Sequence, residues 1–321
     1  MLVPIAAVIG AGEGLFLPGS FSIIPSLLAG EDLQAGNALA SSGTQLATLA
    51  GPAVGGALVI AAGPALAFGL DALSFAVSAV TLARLRTVPK TPAQASAAAE
   101  TDAVPQPART LRAMLRSERI LQVILVVNVA ANIGMGGMSE VALPALAHGP
   151  LHAGASGYGI ILAAFGGGAL LGTIAAGQAR RARRPVIAGS LAFLAEAACM
   201  AAAPYLGSAL AVAAAMAALG VMNGFGNVLT ITAFQRWAPP GMMGRLAGLL
   251  TLTSFGVFPL SVALAALLVR GLGPAPFFLF AAATLAAAIL AGLSQRAWRD
   301  FGTDPDTITT ARHVTMEGQA A

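Results

Sequence analysis

GPALAFGLDALSFAVSAVTLARLR, residues 63–86, returns 210 residues later in altered form as GPAPFFLFAAATLAAAILAGLSQR, residues 273–296. Each copy opens on Gly-Pro, continues through about 20 mainly apolar residues and ends at an arginine. At the same offset, Glu13 in the first half corresponds to Asn223 in the second half. Internal repetition in an apolar chain is typical of transporters built from duplicated halves.

The offset also predicts that part of the duplicated pattern lies outside this sequence. The first apolar run of the second half begins near Ile120, so its counterpart would lie about ninety residues before Met1. We therefore expect a transporter chain that lacks its first three helices.

Composition places the chain in a membrane, because 57% of its residues are hydrophobic and only 9% are charged. Soluble domains carry roughly 25% charged residues. The net charge is only +4, and the basic residues lie in short loops, so nucleic-acid binding is not expected. The single cysteine, Cys199, excludes a disulfide within the chain and a cysteine metal cluster, and it is interpreted as a small packing residue.

Apolar runs of membrane-spanning length predict an all-α integral membrane protein with about nine transmembrane helices. The nine runs are 2–28, 38–62, 65–83, 120–147, 157–178, 185–203, 208–234, 246–269 and 274–293. Small residues four positions apart recur inside them and predict close helix contacts. These pairs are Gly10/Gly14, Gly51/Gly55, Gly168/Gly172, Gly220/Gly224 and Gly244/Gly248.

Basic residues predict the orientation, since cytoplasmic loops carry an excess of Lys and Arg. If every run spans, almost all basic residues fall on one side and only Arg270 falls on the other. The C-terminus is then cytoplasmic. The predicted organisation is a partial N-terminal bundle (1–86), a cytoplasmic linker with a short basic helix near its end (87–119), a six-helix bundle (120–296) and a disordered cytoplasmic tail (297–321).

Short motifs on both sides of the linker go beyond membrane composition. Those of the first half are Pro25-Ser26-Leu27-Leu28, Glu31-Asp32-Leu33, Gly36-Asn37-Ala38-Leu39, Gly51-Pro52-Ala53-Val54-Gly55-Gly56 and Asp71-Ala72-Leu73-Ser74-Phe75. Those of the second half are Leu143-Pro144-Ala145-Leu146, Gly157-Tyr158-Gly159 and Phe165-Gly166-Gly167-Gly168-Ala169-Leu170-Leu171-Gly172. Together they resemble the major facilitator superfamily, particularly its enterobactin-exporter-like branch of bacterial efflux permeases. The resemblance implies that residues 1 to about 300 are helices four to twelve of a twelve-helix fold.

Two motifs carry functional expectations within this resemblance. Gly51, Pro52, Gly55 and Gly56 resemble the antiporter motif of proton-coupled exporters, which implies export; the alternative is a kinked, closely packed helix. A basic loop resembles the second-half copy of the family's conserved cytoplasmic loop, and positive-inside anchoring explains it equally well. The arginines of this loop are Arg180, Arg181, Arg183 and Arg184.

In this family, helices four, seven and ten line the central cavity together with helix one, and all three carry a polar face here. The residues are Glu13 and Ser20 on helix four, Asn128, Asn132 and Ser139 on helix seven, and Asn223, Asn227 and Thr230 on helix ten. Their spacings place each set on one helical face. The amides either line the cavity or bond neighbouring helices. Glu13 is the candidate for proton coupling, or else pairs with a residue on a helix outside this sequence.

The remaining ionisable residues carry weaker expectations. Asp71 fits a structural role near a helix N-terminus, Glu140 reaches the membrane interface, and Glu196 has no assigned role. His148 and His152 lie in an outer loop, where they are solvated. No metal site or cofactor is expected.

Other functional classes lack their motifs. Lys90, the only lysine, is not in a phosphate-binding loop, and no protease motif or intramembrane histidine occurs. The chain is not expected to be an enzyme. The sequence predicts a secondary active exporter in a bacterial-type cell membrane, which moves a small amphipathic molecule (a drug, siderophore or metabolite) outward as protons move inward. The alternatives are a truncated, non-transporting fragment and a membrane receptor or assembly protein.

Overall fold

The structure is a computed structural model that describes residues 10, 12, 14, 16, 19–21, 23–28, 31–84, 111–179, 184–239 and 242–302. Every regular element in this part is helical, in agreement with the predicted all-α class. The α-helices are α1 (Leu33–Arg84), α2 (Leu111–Ser117), α3 (Arg119–Gly137), α4 (Leu143–His148), α5 (Gly154–Gln178), α6 (Pro185–Ala202), α7 (Ala209–Trp237), α8 (Met243–Leu272), α9 (Ala275–Ser294) and α10 (Arg296–Arg299). A π-helical turn, Met138–Ala142, joins α3 to α4, and a 3-10 turn, Ala203–Tyr205, follows α6.

Among the described residues, seven helices are long and apolar enough to cross a membrane. They are Gly63–Arg84, Arg119–His148, Gly154–Gln178, Pro185–Tyr205, Ala209–Trp237, Met243–Leu272 and Ala275–Ser294. These confirm seven of the predicted runs. The run 38–62 is helical within α1 but is not one of the seven, and about half of the run 2–28 lies outside the described residues. The count of nine therefore stays a prediction.

The 210-residue repeat is visible in the backbone. Gly63 interrupts α1 with φ 79° and ψ 164°, and Gly273 separates α8 from α9 with φ 82° and ψ −179°. Left-handed backbone of this kind favours glycine, and the proline that follows each one suits the start of a helix. Leu33 and Met243, where α1 and α8 begin, are also 210 residues apart. Both halves thus use the same break between two consecutive helices.

The closest helix pair is α5 against α7, and glycines on both helices make it possible. A Cβ atom on Gly168 or Gly172 would lie 2.1 Å from a backbone oxygen of α7. In return, a Cβ on Gly220 would lie 2.2 Å from the Phe165 oxygen. Four-residue glycine spacing on facing helices lets the two backbones touch. This confirms the sequence prediction for the Gly168/Gly172 and Gly220/Gly224 pairs.

The main apolar core lies where α9 packs on α3 and α6. Phe277 and Phe278 of α9 are fully buried there. Trp298 of α10 is buried as well and donates from Nε1 to Ser190 Oγ at 3.0 Å. The prediction of a disordered tail from residue 297 is therefore wrong for 297–302, because two aromatic side chains anchor this stretch. Residues 303–321 lie outside the described part.

The end of the linker forms the expected short helix, α2, although Met114 is buried and the helix is therefore not purely a surface element. Residues 85–110, which hold the rest of the predicted linker, lie outside the described residues.

Candidate functional site

A buried polar cluster joins the first part of α1 to the last turns of α7. Asn37 is only 4% exposed, and its Nδ2 donates to Thr232 Oγ1 at 3.0 Å and to Gln235 Oε1 at 2.6 Å. Gln235 in turn donates to the backbone oxygen of Phe21 at 3.3 Å. Three side-chain amide and hydroxyl groups on two helices therefore satisfy one another away from water, as buried polar groups require.

A second set of contacts ties α1 to the C-terminal part of α5. The Nε2 atom of Gln34 donates to the oxygens of Ala176 at 2.6 Å and Ala179 at 3.3 Å. Those oxygens belong to the last turns of α5, where carbonyls lack partners within the helix. One to two turns further along, the Ser42 and Thr173 hydroxyls lie 3.0 Å apart. The C-terminal end of α5 thus packs against the polar side chains Gln34 and Ser42 of α1.

We call these six side chains the α1 lock: Gln34, Asn37, Ser42, Thr173, Thr232 and Gln235. As the residue numbers of the lock rise along α1, those of their partners on α5 fall, so the two helices are antiparallel. The lock residues of α1 therefore meet the C-terminal ends of α5 and α7. Beyond Leu49, which lies near Gly166, the described side chains of α1 are mostly exposed. The described contacts between residues 31–84 and 111–302 are therefore concentrated at one end of the helices.

The predicted polar face of α3 turns toward α8. Asn128 donates from Nδ2 to Thr253 Oγ1 at 2.9 Å and to Ser254 Oγ at 3.0 Å. Asn132 donates to Ser254 Oγ at 3.2 Å and to the Asn128 backbone oxygen at 2.8 Å. Both asparagines are half-buried. The two asparagines therefore form hydrogen bonds between α3 and α8. That they also line the transport cavity stays a prediction.

Ser139 lies in the π-helical turn below that network. Its hydroxyl donates to the Gly136 oxygen at 3.2 Å, and its backbone oxygen lies 3.5 Å from the Tyr158 hydroxyl. Pro144 follows this turn and has no N–H for the usual bond to residue 140, which accounts for the local widening of the helix.

The polar face of α7 points toward α6. Asn223 donates from Nδ2 to Glu196 Oε1 at 3.1 Å, and Asn227 donates to Asn223 Oδ1 at 3.2 Å. Glu196, which the sequence left without a role, is 2% exposed. Thr230 continues the stripe, and its hydroxyl lies close to Gly189 of α6. The stripe is thus a chain of hydrogen-bonding groups with a buried carboxyl group at one end.

Several predicted site residues are not placed by the structure. Glu13, the proton-coupling candidate, and three arginines of the basic loop lie outside the described residues: Arg180, Arg181 and Arg183. Arg184 is exposed at the start of α6, and Ser20 is half-buried in the described part of the first run.

The antiporter-like motif lies within α1. The backbone is helical through Gly51 and Gly55, and a Cβ on either would meet no described atom within 4 Å. The close packing expected for this motif is therefore not formed among the described residues. The surroundings of Pro52 and Gly56 lie outside the described part.

The sequence analysis missed the α1 lock as a site. Asn37 appeared only inside a family motif, and Gln34, Thr232 and Gln235 were not singled out. Their common signal is polar side chains at or just beyond the ends of apolar runs, which usually indicates contact with the membrane interface. Their burial follows from the crossing of α1 over α5 and α7, and no local pattern reports that crossing.

A separate groove of about 540 Å³ lies between α3 and α9. Its lining is almost entirely apolar and contains none of the predicted site residues. The lining residues are Leu125, Val126, Val129, Ala130, Thr284, Ala287, Ala288 and Ala291.

A family model agrees with this architecture over nearly the whole chain. The model, described as transmembrane secretion effector (MFS_3), matches residues 1–300. The chain belongs to this family. It is therefore a multi-pass membrane protein of the major facilitator superfamily with an efflux-type transport function. No curated protein matches the chain at a significant level.

Membership in the secretion-effector family confirms the superfamily named from the motifs and the predicted helical-bundle class. It also gives the described helices a bilayer environment, which explains the many exposed large apolar side chains on α1 and α8. The enterobactin-exporter-like branch stays a prediction.

Proposed function

We propose that this secretion-effector family member is a secondary active exporter of a small amphipathic organic molecule, driven by inward proton movement. The proposal places it in a bacterial-type cell membrane with its C-terminus in the cytoplasm. Transport follows alternating access, in which the segment that contains α1 rocks against the segment that contains α5 and α7.

The α1 lock is the observation that carries this proposal. A permanent interface between two membrane segments would extend along their length. The described contacts here are concentrated at one end, where the polar lock surrounds a small apolar cluster of Ala38, Ala176 and Val228. Arg184, exposed just before α6, and the arginine-rich sequence that precedes it follow the C-terminal end of α5 along the chain, which favours the cytoplasmic side for this end. The structure therefore fits a state that is closed toward the cytoplasm and splayed toward the outside.

The chemistry of the lock suits reversible closure. Hydrogen bonds between helices in bilayers contribute about 0.6 kcal/mol on average and rarely more than about 1.7 kcal/mol. A few such bonds hold two segments together, yet water that enters the interface replaces them readily. A large apolar interface would not separate in this way, because its faces would have to be exposed to water.

Proton-driven flux tests the proposal directly. Everted membrane vesicles that contain the full chain, with an acidic lumen, are mixed with ethidium, rhodamine 6G or a catecholate siderophore. We expect at least one of these probes to accumulate in the lumen and to leave when a protonophore collapses the gradient. Vesicles without the protein are the control. If none of the three accumulates above this control, the proton-driven exporter of amphipathic molecules is contradicted and the non-transporting alternative is favoured.

A further inference from the structure

The carboxyl group of Glu196 is buried without a charged partner in the described part of the chain. It lies on α6, about 17 Å from the start of that helix by helical rise, and is 2% exposed. Asn223 Nδ2 donates to Oε1 at 3.1 Å. The other oxygen, Oε2, is buried and has no hydrogen-bond partner among the described residues. One oxygen of this carboxyl group is therefore satisfied and the other is not.

The ionisable groups around Glu196 do not supply a counter-charge. Within the helices that pack on α6, α9 has no ionisable residue, and Arg236 of α7 lies 13 residues from Asn223, roughly 20 Å along the helix. Arg296 and Arg299 lie on α10, whose Trp298 bonds Ser190 about 9 Å before Glu196 on α6, and neither forms a described ion pair with Glu196. Tyr205, beyond the other end of α6, is 65% exposed. Within α6 itself, the other titratable side chain is the Cys199 thiol, three residues further along.

These surroundings favour the neutral acid over the carboxylate. An ion buried without a partner costs far more free energy than a neutral polar group in the same place. As a neutral acid, Glu196 presents Oε1 as a carbonyl oxygen that accepts from Asn223, and Oε2 carries the proton. As a carboxylate, it would need a donor for Oε2 that this arrangement does not provide.

The hydrogen bond to Asn223 connects the carboxyl group to the polar stripe of α7. Asn223 accepts at Oδ1 from Asn227, so the two amides are held in one orientation. A negative charge on Glu196 would attract the Asn223 N–H groups more strongly and draw water or another donor to Oε2. The charge of a group on α6 is in this way coupled to the packing of α6 against α7.

We propose that Glu196 is a reversible proton-binding site whose occupancy controls the contact between α6 and α7. In the packed state shown here the acid is protonated. When water reaches the interface, the O–H bond at Oε2 breaks, the proton passes to water and the electron pair stays on the carboxylate. Repacking requires the proton to return. The coupling of this cycle to export rests on the proposed function, whereas the proton site itself does not.

Infrared difference spectroscopy of the full chain in proteoliposomes tests the site with protons as the only ligand. We expect a C=O stretching band of a protonated carboxylic acid in acidic buffer that disappears in alkaline buffer and shifts in D₂O. Glu196→Gln should remove the part of this band that belongs to Glu196, whereas the control Glu140→Gln, whose carboxyl group is exposed, should leave that part unchanged. In Asn223→Ala the band should move to higher frequency, because a hydrogen bond to the carbonyl oxygen lowers that frequency.

The outcomes separate this site from the transport proposal. An acid band that is identical in the wild type and in Glu196→Gln, or a wild-type band that does not change with pH, overturns the proton site whatever the vesicles transport. The wild-type titration and the Asn223→Ala shift keep the proposal testable if Glu196→Gln does not fold. A band that titrates in a protein without dye flux leaves the proton site standing and contradicts only the exporter.

Discussion

Replacing Asn37 by leucine is expected to open the α1 lock. Asn37 Nδ2 donates hydrogen bonds to Thr232 Oγ1 and Gln235 Oε1, so the substitution leaves two buried acceptors without their donor. Each buried polar group that loses its partner costs about 1–3 kcal/mol. A loss of about 1.4 kcal/mol already raises the open fraction tenfold. Because Leu and Asn have similar size, the apolar packing changes little.

A thiol at position 42 reports the opening. In a Cys199→Ser background, Ser42→Cys places a single thiol at the half-buried contact with Thr173. We expect N-ethylmaleimide to label this thiol at least about tenfold faster in Asn37→Leu. The matched control is Thr44→Val, since Thr44 is exposed and bonds only within α1, to Ala40. Equal labelling rates in Asn37→Leu and the control would show that the lock does not hold α1 in place.

The second large effect is expected at Gly168, where α5 touches α7. A Cβ there would lie 2.1 Å from the Ala217 oxygen, which belongs to a helix backbone and cannot rotate away. Overpacking of this kind costs about 1–3 kcal/mol or more. For a protein of this size, Gly168→Ala should therefore lower the unfolding midpoint by roughly 5 °C.

The neighbouring glycine provides the control for this prediction. A Cβ on Gly167 meets nothing within 4 Å, so Gly167→Ala should be neutral or slightly stabilising, as expected for alanine inside a helix. Thermal unfolding in detergent can be followed with a maleimide dye that reacts with Cys199, the one cysteine. If both variants unfold at the same temperature, the backbone contact between α5 and α7 is not present in the folded protein.

Short sequence patterns predicted much of this fold. Apolar runs predicted the spans because a bilayer sets their length, and four-residue glycine spacing predicted the α5–α7 contact because it places glycines on one helical face. The Gly-Pro pair at 63 and 273 marked the same backbone break in both halves. Each of these signals lies within a few turns of one helix.

The candidate sites depend on contacts that no local pattern reports. Asn37 and Thr232 are 195 residues apart, and only the crossing of α1 over α7 turns two ordinary polar residues into a buried pair. Glu196 was left without a role, yet α7 packs against its helix and supplies Asn223. The same contact gives Asn223 a partner on α6, and its lining of a cavity stays a prediction.

A disulfide across the α1 lock tests the central claim most directly, namely that this interface must separate for export. Ser42 Oγ and Thr173 Oγ1 lie 3.0 Å apart, so Ser42→Cys with Thr173→Cys in a Cys199→Ser background is well placed to form the bond. Dye accumulation is measured in everted vesicles after oxidation and again after reduction, with each single-cysteine variant as control. We expect oxidation to abolish gradient-driven accumulation in the double variant alone and reduction to restore it. Full accumulation in completely cross-linked protein would contradict the account, because export would then proceed with α1 and α5 held together.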